Sequence, residues 1–303
     1  MSRKKTPKKI AIIGHLVWDC LNYADGRSIE TFGGIAYNLA ALASVADSFT
    51  RIYPVCYLGK NIKNKAADFW ANFPHIDWSL VRVLDQDQEI HILNYSSEGY
   101  RCENNLNLFP QIARANFKGC TGIDIGLVNF IGGDEFPPNS ISWLKKKYRP
   151  LIYLDYHSLA LSRISNGMRH FRRHPHWRKY ISEADIVQMN EFELETLYPG
   201  ILDSPEKICN AARMILRLGP RAVIITREYK DLIAAWREAN LIRTEYFPIP
   251  NAPKIVDSTG CGDSFAAGFV YAMSQGKSIR ACCLSGLKLA ARKITFSGPG
   301  GFL

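Results

Sequence analysis

The chain reads as a doubly wound α/β protein, a mostly parallel central sheet flanked by helices and carrying a small β-stranded lid. Three observations predict this. Short apolar runs such as Lys9–Gly14 and Ala222–Thr226 have the length of buried parallel strands and lack the alternation of a half-exposed sheet. Stretches of helical length, rich in Ala and Leu, lie between such runs. One alternating stretch, Glu89–Tyr95, breaks the rhythm: Ser96-Ser-Glu-Gly99 and Tyr100-Arg-Cys102 follow it, a hairpin signal. With 303 residues, 47% of them hydrophobic, the chain is long enough for one large core. Residues 1–303 are therefore expected to form a single domain, with the lid built from about 20–32 and 88–104.

In order, Lys9–Gly14 is the first strand. Gly33-Gly34 opens a helix over Ile35–Val45. Ile52–Leu58 is the next strand and Ala66–Phe73 the next helix. After the hairpin come three short apolar runs, Asp124–Phe130, Leu151–Asp155 and Asp185–Met189, with helices at Ser140–Lys147 and around Trp177–Ile181. Helices follow at Glu191–Tyr198 and Pro205–Leu218. Ala222–Thr226 is a parallel-type strand, and Asp231–Trp236 with Leu241–Phe247 reads as an antiparallel pair. An extended piece, Lys254–Val256, leads through a glycine turn into the last helices, Ser264–Met273 and Ile279–Ile294.

Composition narrows the function. The formal charge is +10, from 38 Lys+Arg against 28 Asp+Glu. Part of it lies in the tail Arg3-Lys4-Lys5, Lys8-Lys9 and part in Arg169–Lys179. Neither cluster carries an arginine-rich repeat or zinc-finger spacing, so both read as solvated basic surface and no nucleic-acid partner is expected. No two of the eight cysteines have zinc-knuckle spacing, and Cys20, Cys56, Cys209 and Cys282 read as free core thiols. That usage suits a reducing cytoplasm. No secretory leader or membrane span is expected, since nowhere do 18 apolar residues run together.

The chemistry concentrates in Val256-Asp-Ser-Thr-Gly-Cys-Gly-Asp-Ser-Phe-Ala-Ala-Gly268. A turn with two glycines delivers Asp263 to the start of an apolar helix. Backbone N–H groups and a carboxylate then share a helix N-terminus, where an anion can bind beside a group that takes a proton. It is not a dinucleotide fingerprint, because the third glycine would fall at Phe265, and no Lys-Ser/Thr makes it a P-loop. The plainer reading is an Asp capping a helix. Asn190 and Glu193 have a similar double reading, as ligands or as a capping box on the helix from Glu191.

The segment from Val256 to Gly268 resembles the C-terminal signature of the ribokinase-like (PfkB-type) carbohydrate kinase family. Phe32-Gly-Gly-Ile-Ala-Tyr-Asn38 resembles the same family's N-terminal signature, and Asn190-Glu-Phe-Glu193 is similar to its Asn-x-x-Glu element. They stand in the family's order and, with Asp19, span about residues 9 to 300. The resemblance implies an ATP-dependent phosphotransferase acting on a hydroxyl of a small sugar or sugar derivative. Asp263 would be the general base, kept ionised by the helix dipole, and the backbone of Gly260, Cys261 and Gly262 the anion hole. Asp19, Gly33, Gly34 and Asn38 would meet the sugar, and Arg101 in the hairpin a phosphate on it. Thr226 and Arg227, with Gly260 and Gly262, would meet the nucleotide. Asn190 and Glu193 would position Mg²⁺ through its waters, and Asp257 with Thr259 a monovalent cation such as K⁺. Cys261 reads as packing rather than as a nucleophile. His157, after a strand end, reads either as a donor to a substrate carboxylate or as satisfying a loop carbonyl.

The resemblance departs at Arg227-Glu-Tyr-Lys-Asp231, where the family often has glycines beside the nucleotide. A nucleoside kinase and a non-catalytic sugar- or nucleotide-sensing protein on the same fold are the competing readings. The expected partner is a small sugar-like molecule, with neither nucleic acid nor membrane, and a homodimer through the lid.

Overall fold

The structure is a computed structural model that describes residues 7–95, 101–162, 169–227, 230–239, 241–249 and 255–303. Strand β1 (Lys8–Ile13) is buried from Ile10 onward, which is why it shows no alternation. β2 (Leu16–Asn22) and β3 (Ser28–Gly34) form a hairpin leading into α1 (Ala36–Ala43), buried at every residue. β4 (Thr50–Val55) and β5 (Tyr57–Gly59) precede α2 (Lys63–Trp70) and β6 (Arg82–Leu84). β7 (Ile90–Tyr95) and β8 (Arg101–Leu106) are the second hairpin. The chain then alternates: β9 (Ile125–Asn129), α3 (Pro138–Tyr148), β10 (Leu151–Asp155), α4 (Trp177–Glu183), β11 (Ile186–Asn190), α5 (Glu191–Glu195), α6 (Pro205–Leu216) and β12 (Ala222–Arg227). β13 (Asp231–Glu238), β14 (Leu241–Pro248), α7 (Cys261–Ser274) and α8 (Ile279–Lys293) complete it.

The main sheet runs β14-β13-β12-β11-β10-β9-β1-β4. Its strands from β12 to β4 are parallel, and β13 and β14 are added antiparallel at one edge. Alternate residues of each strand feed two cores. Ile10 and Ile12 of β1 pack with α1, α2, α7 and α8, whereas Ala11 and Ile13 pack with α3, α4 and α6. Strand order reverses at β1, between β4 and β9, which places a topological switch point at the carboxyl ends of β1 and β9.

A second sheet, β3-β2-β7-β8, stands where the lid was expected and is wider than expected, since β2 begins at Leu16 and β3 runs to Gly34. Alternation along β2 turns Val17, Asp19 and Leu21 inward and leaves Trp18, Cys20 and Asn22 half-exposed. Cys20 is therefore not a core thiol, while Cys56, Cys209 and Cys282 are buried as expected, and the seven described cysteines are all free.

Other boundaries moved for identifiable reasons. The run Ile52–Leu58 is two strands, because β5 leaves the main sheet to pair with β6. α2 begins at Lys63, three residues before the expected Ala66, directly after a 3₁₀ turn at Lys60–Ile62. α7 begins at Cys261 rather than Ser264, since the glycine turn itself supplies its first turn. Residues 255–258 form no strand, and Lys254 lies outside the described residues. Among the described residues no helix is long and apolar enough to cross a membrane.

Candidate active site

One cavity of about 860 Å³ opens at the carboxyl ends of the parallel strands, between the main sheet, the small sheet and the start of α7. At one end Asp19, His91, Glu103 and Arg169 line it; at the other, Leu232, Pro248, Leu287, Ala290 and Ile294 make an apolar slot. Asp263 lies on the wall with Gly260, Cys261 and Gly262.

The N-terminus of α7 is built on Gly260, whose φ of 81° is left-handed. A Cβ there would overlap the ring of Tyr37. At Gly262 a Cβ would meet nothing closer than Gln188 Nε2 at 3.5 Å, so this position faces open cavity. Of the three N–H groups expected to form an anion hole, that of Cys261 already donates to Ser258 O at 3.1 Å. An anion bound there would therefore be met by the N–H groups of Gly260 and Gly262. Cys261 is half-buried and burial pushes its thiol up to about 11, which agrees with packing and not nucleophilic attack.

Asp263 is gripped by two asparagines from distant segments. Asn129 Nδ2, at the end of β9, donates to Asp263 Oδ1 at 2.5 Å and to Asn38 Oδ1 at 2.8 Å. Asn38 Nδ2 donates to Asp263 O at 2.9 Å. Asn38 was expected against the sugar; it is instead fully buried, and both ends of its amide are spent on this clamp. Gln188 in β11 donates to Gly262 O at 3.1 Å and to Asp155 Oδ2 at 3.2 Å. Burial raises the Asp263 carboxyl above the ordinary carboxylate range, against the opposing pull of His157 and Asn129. The expectation from the helix dipole alone was the reverse. Burial also raises Asp155 well above that range, with the neighbouring charges of Asp263 and Glu193 adding to it and His157 opposing.

His157 supplies the countercharge. Burial alone would lower its pKa, but Glu193, Asp155 and Asp263 outweigh burial and raise it to about 9. Its Nδ1 lies 3.4 Å from Glu193 Oε1. The side chain therefore faces the carboxyl groups of Glu193, Asp155 and Asp263 rather than a loop carbonyl.

Asn190 and Glu193 form a full capping box at the start of α5. Glu193 N donates to Asn190 Oδ1 at 2.8 Å, and Asn190 N donates back to Glu193 Oε2 at 2.9 Å. Asn190 Nδ2 also donates to Glu193 Oε1 at 2.7 Å. With Glu193 buried and both oxygens engaged, direct ligation of Mg²⁺ does not fit. Among the described residues no cluster of three or more His, Cys, Asp or Glu could hold a metal. Both residues line the cavity, so an ion that keeps its water shell fits beside them.

A monovalent cation at Asp257 and Thr259 fits less well. Asp257 Oδ1 accepts the Thr259 N–H at 2.9 Å, Thr259 Oγ1 pairs with the Tyr95 hydroxyl at 3.1 Å, and the ammonium of Lys293 lies 3.6 Å from Asp257 Oδ2.

The remaining expected residues divide. Asp19 is buried on the cavity floor, and Gly33 is required beside it because a Cβ there would overlap its carboxylate. Gly34 lines the cavity too. Thr226 and Arg227 reach the cavity at the end of β12, but the Arg227 guanidinium is held by Asp231 at 2.9 Å and Glu191 at 3.4 Å. Its charge is thus already met by carboxylates of the chain where it lines the cavity. The side chain of Arg101, expected to meet a substrate phosphate, lies outside the described residues.

Arg169 was read as part of a solvated basic surface. Its side chain is instead 7% exposed, pairs with Glu103 of the small sheet at 3.1 Å, and donates to Ile131 O at 3.1 Å and Gly132 O at 3.2 Å. Asn129 and Gln188 were also missed. Their signal was available: each is a polar side chain in or ending an otherwise apolar strand.

Residues 169–302 match the family described as pfkB family carbohydrate kinase. A cytidine kinase of Thermococcus kodakarensis is 24% identical over 293 residues, which cover 93% of this chain and 94% of that protein. Two solved structures share the fold. Arabidopsis thaliana ribokinase complexed with ribose and ATP has a TM-score of 0.76 at 19% identity, over 97% of this chain and 94% of that one. A pyrophosphate-dependent kinase in the ribokinase family, in a sulfate complex, has a TM-score of 0.77 at 18% identity, over 96% of both chains.

Proposed function

We propose that the chain is a ribokinase-like kinase of the PfkB type that transfers a phosphoryl group from a nucleoside triphosphate to a hydroxyl of a small sugar or sugar derivative, with Asp263 as general base. The observation that carries this reading is the placement of Asp263. Its clamped carboxylate sits beside the glycine N-terminus of α7, between a polar end suited to hydroxyls and an apolar slot suited to a nucleobase.

The acceptor hydroxyl would enter from the Asp19 end. Its oxygen forms the new bond to the γ-phosphorus, its proton passes to the Asp263 carboxylate, and the bond to the bridging oxygen breaks to release the nucleoside diphosphate. Charge on the transferred oxygens would meet the N–H groups at Gly260 and Gly262. The raised proton affinity of Asp263 suits a proton taken late in a loose transition state. Mg²⁺ brought with the triphosphate would neutralise phosphate charge, its waters meeting Asn190 and Glu193.

The test measures ADP release with Mg-ATP over hexoses, pentoses, keto-acid sugars, phosphosugars and nucleosides, beside Asp263→Asn. Turnover of at least one acceptor is expected, lowered about 10²-fold or more in the variant. Equal rates in the variant would remove Asp263 as base, and ATP binding without turnover on any acceptor would favour a sensor. A nucleoside acceptor is the second reading, favoured by the near full-length match to a cytidine kinase and by Leu93 and Tyr95 on the small-sheet side of the cavity. Preference for cytidine over every free sugar in that panel would establish it. Pyrophosphate in place of ATP tests the donor slot, and no turnover with it is expected.

A further inference from the structure

Lys293, in the last turn of α8, is the only buried lysine among the described residues, with no exposed side-chain surface. Its ammonium donates to Phe296 O at 2.9 Å and to Asp257 O at 3.2 Å, and lies 3.6 Å from Asp257 Oδ2. The ring centroids of Tyr37 and Phe296 are 5.5 and 5.4 Å away. Two carbonyls, a carboxylate and two aromatic rings surrounding one positive charge form a closed cation cage. The cage is continuous with the phosphate turn: Asp257 Oδ1 holds the Thr259 N–H, and the Tyr37 ring packs against Gly260, the N-cap of α7.

We propose that Lys293 is a tethered cation that braces the 257–260 turn and so positions the N-terminus of α7. In this chain it stands in place of an exchangeable monovalent ion at Asp257. The inference rests on the kinase reading only for its consequence for rate, which is that turnover needs no K⁺. Chemically, an ammonium and a potassium ion demand the same kind of oxygen shell, and the tether removes any dependence on salt. Burial lowers the pKa of the amine and the carboxylates of Asp257 and Asp263 oppose it; the Cys261 thiol is the other titratable group beside it, and Tyr37 faces it from α1.

The full chain would be exchanged into tetramethylammonium chloride and titrated at constant ionic strength with K⁺, ammonium and Tl⁺. Thermal midpoint, thallium NMR and ADP release would be read for wild type and Lys293→Ala. Wild type should bind no Tl⁺ and show the same midpoint and rate in K⁺ as in tetramethylammonium. Lys293→Ala should have a lower midpoint and at least about tenfold slower turnover, both partly restored by K⁺ or ammonium, with a bound Tl⁺ signal absent from wild type. Tl⁺ binding by wild type that is lost in Asp257→Asn would overturn the proposal. So would a Lys293→Ala protein with wild-type midpoint and no response to K⁺. If Lys293→Ala does not fold, the wild-type thallium measurement decides alone. Absence of turnover with every acceptor would count against the kinase reading, while the midpoint and thallium signals would still judge Lys293.

Discussion

At the scale of single residues, Asp263 and His157 set each other's charge. Burial raises the Asp263 carboxyl, and the imidazolium of His157 holds that rise in check. Two pH effects follow. Activity should fall on the acid side as Asp263 takes up a proton, and in His157→Gln that limb should move to higher pH, because a cation that favours the carboxylate is gone. A pH–rate profile of both proteins checks this. The second effect concerns stability. The folded pKa of His157, about 9, lies above its ordinary value of 6.5. Its contribution is therefore complete below about pH 6.5 and lost as pH rises through about 9. Thermal midpoints of wild type should decline over that window, and those of His157→Gln should decline less. Half-exposure of the ring keeps the effect modest.

At the scale of elements, the first turn of α7 separates structural from functional glycine. Gly260→Ala places a Cβ into Tyr37 at a left-handed φ, and should cost about 1–3 kcal/mol or more, measured by denaturant unfolding. Gly262→Ala meets only Gln188 Nε2, at an ordinary contact distance of 3.5 Å, so stability should stay within about 0.5 kcal/mol. Turnover should nevertheless fall by about 10²-fold, because the methyl group holds phosphate off the N–H groups. The asparagine clamp ties α1 and β9 to the same turn. Asn38→Ala leaves the buried Asn129 amide without one acceptor and should destabilise by about 1–3 kcal/mol.

At the scale of the molecule, the small sheet touches the body at the cavity itself. Glu103 of β8 pairs with Arg169, and Tyr95 of β7 meets Thr259 of the 257–260 turn. Acceptor binding should therefore depend on these ties: Arg169→Ala removes the ion pair to Glu103 and the bonds to Ile131 O and Gly132 O, and should raise KM for the acceptor more than it lowers kcat, as steady-state kinetics would show. The outer edges of β3 and β8 have no strand partner within the chain's described residues, so association of two copies through this sheet is a proposal for sedimentation analysis.

Much of this architecture was legible because its determinants are local. Apolar runs of strand length, a glycine pair before an Ala-rich helix, and the Asn190–Glu193 capping pattern constrain the backbone within a few residues, and most of the main sheet, α1 and the start of α5 follow from them. The resemblance of residues 32–38, 190–193 and 256–268 to one kinase family comes from the same local strings. What lay beyond the reach of pattern is the company those strings keep. Asn38 and Asn129 stand 225 and 134 residues from Asp263, and only the tertiary fold brings one to its backbone carbonyl and the other to its carboxylate. Arg169 lay in a run expected to be solvated surface, and no local pattern singled out Lys293; packing buried both, one against Glu103 and one against Asp257. The sign of the Asp263 shift changed for the same reason: a helix N-terminus favours the anion locally, but the surrounding walls remove water, and desolvation is the larger effect. Turn chemistry and periodicity act along the chain and can be read from it; burial and charge pairing act across space, and the tertiary fold alone sets them.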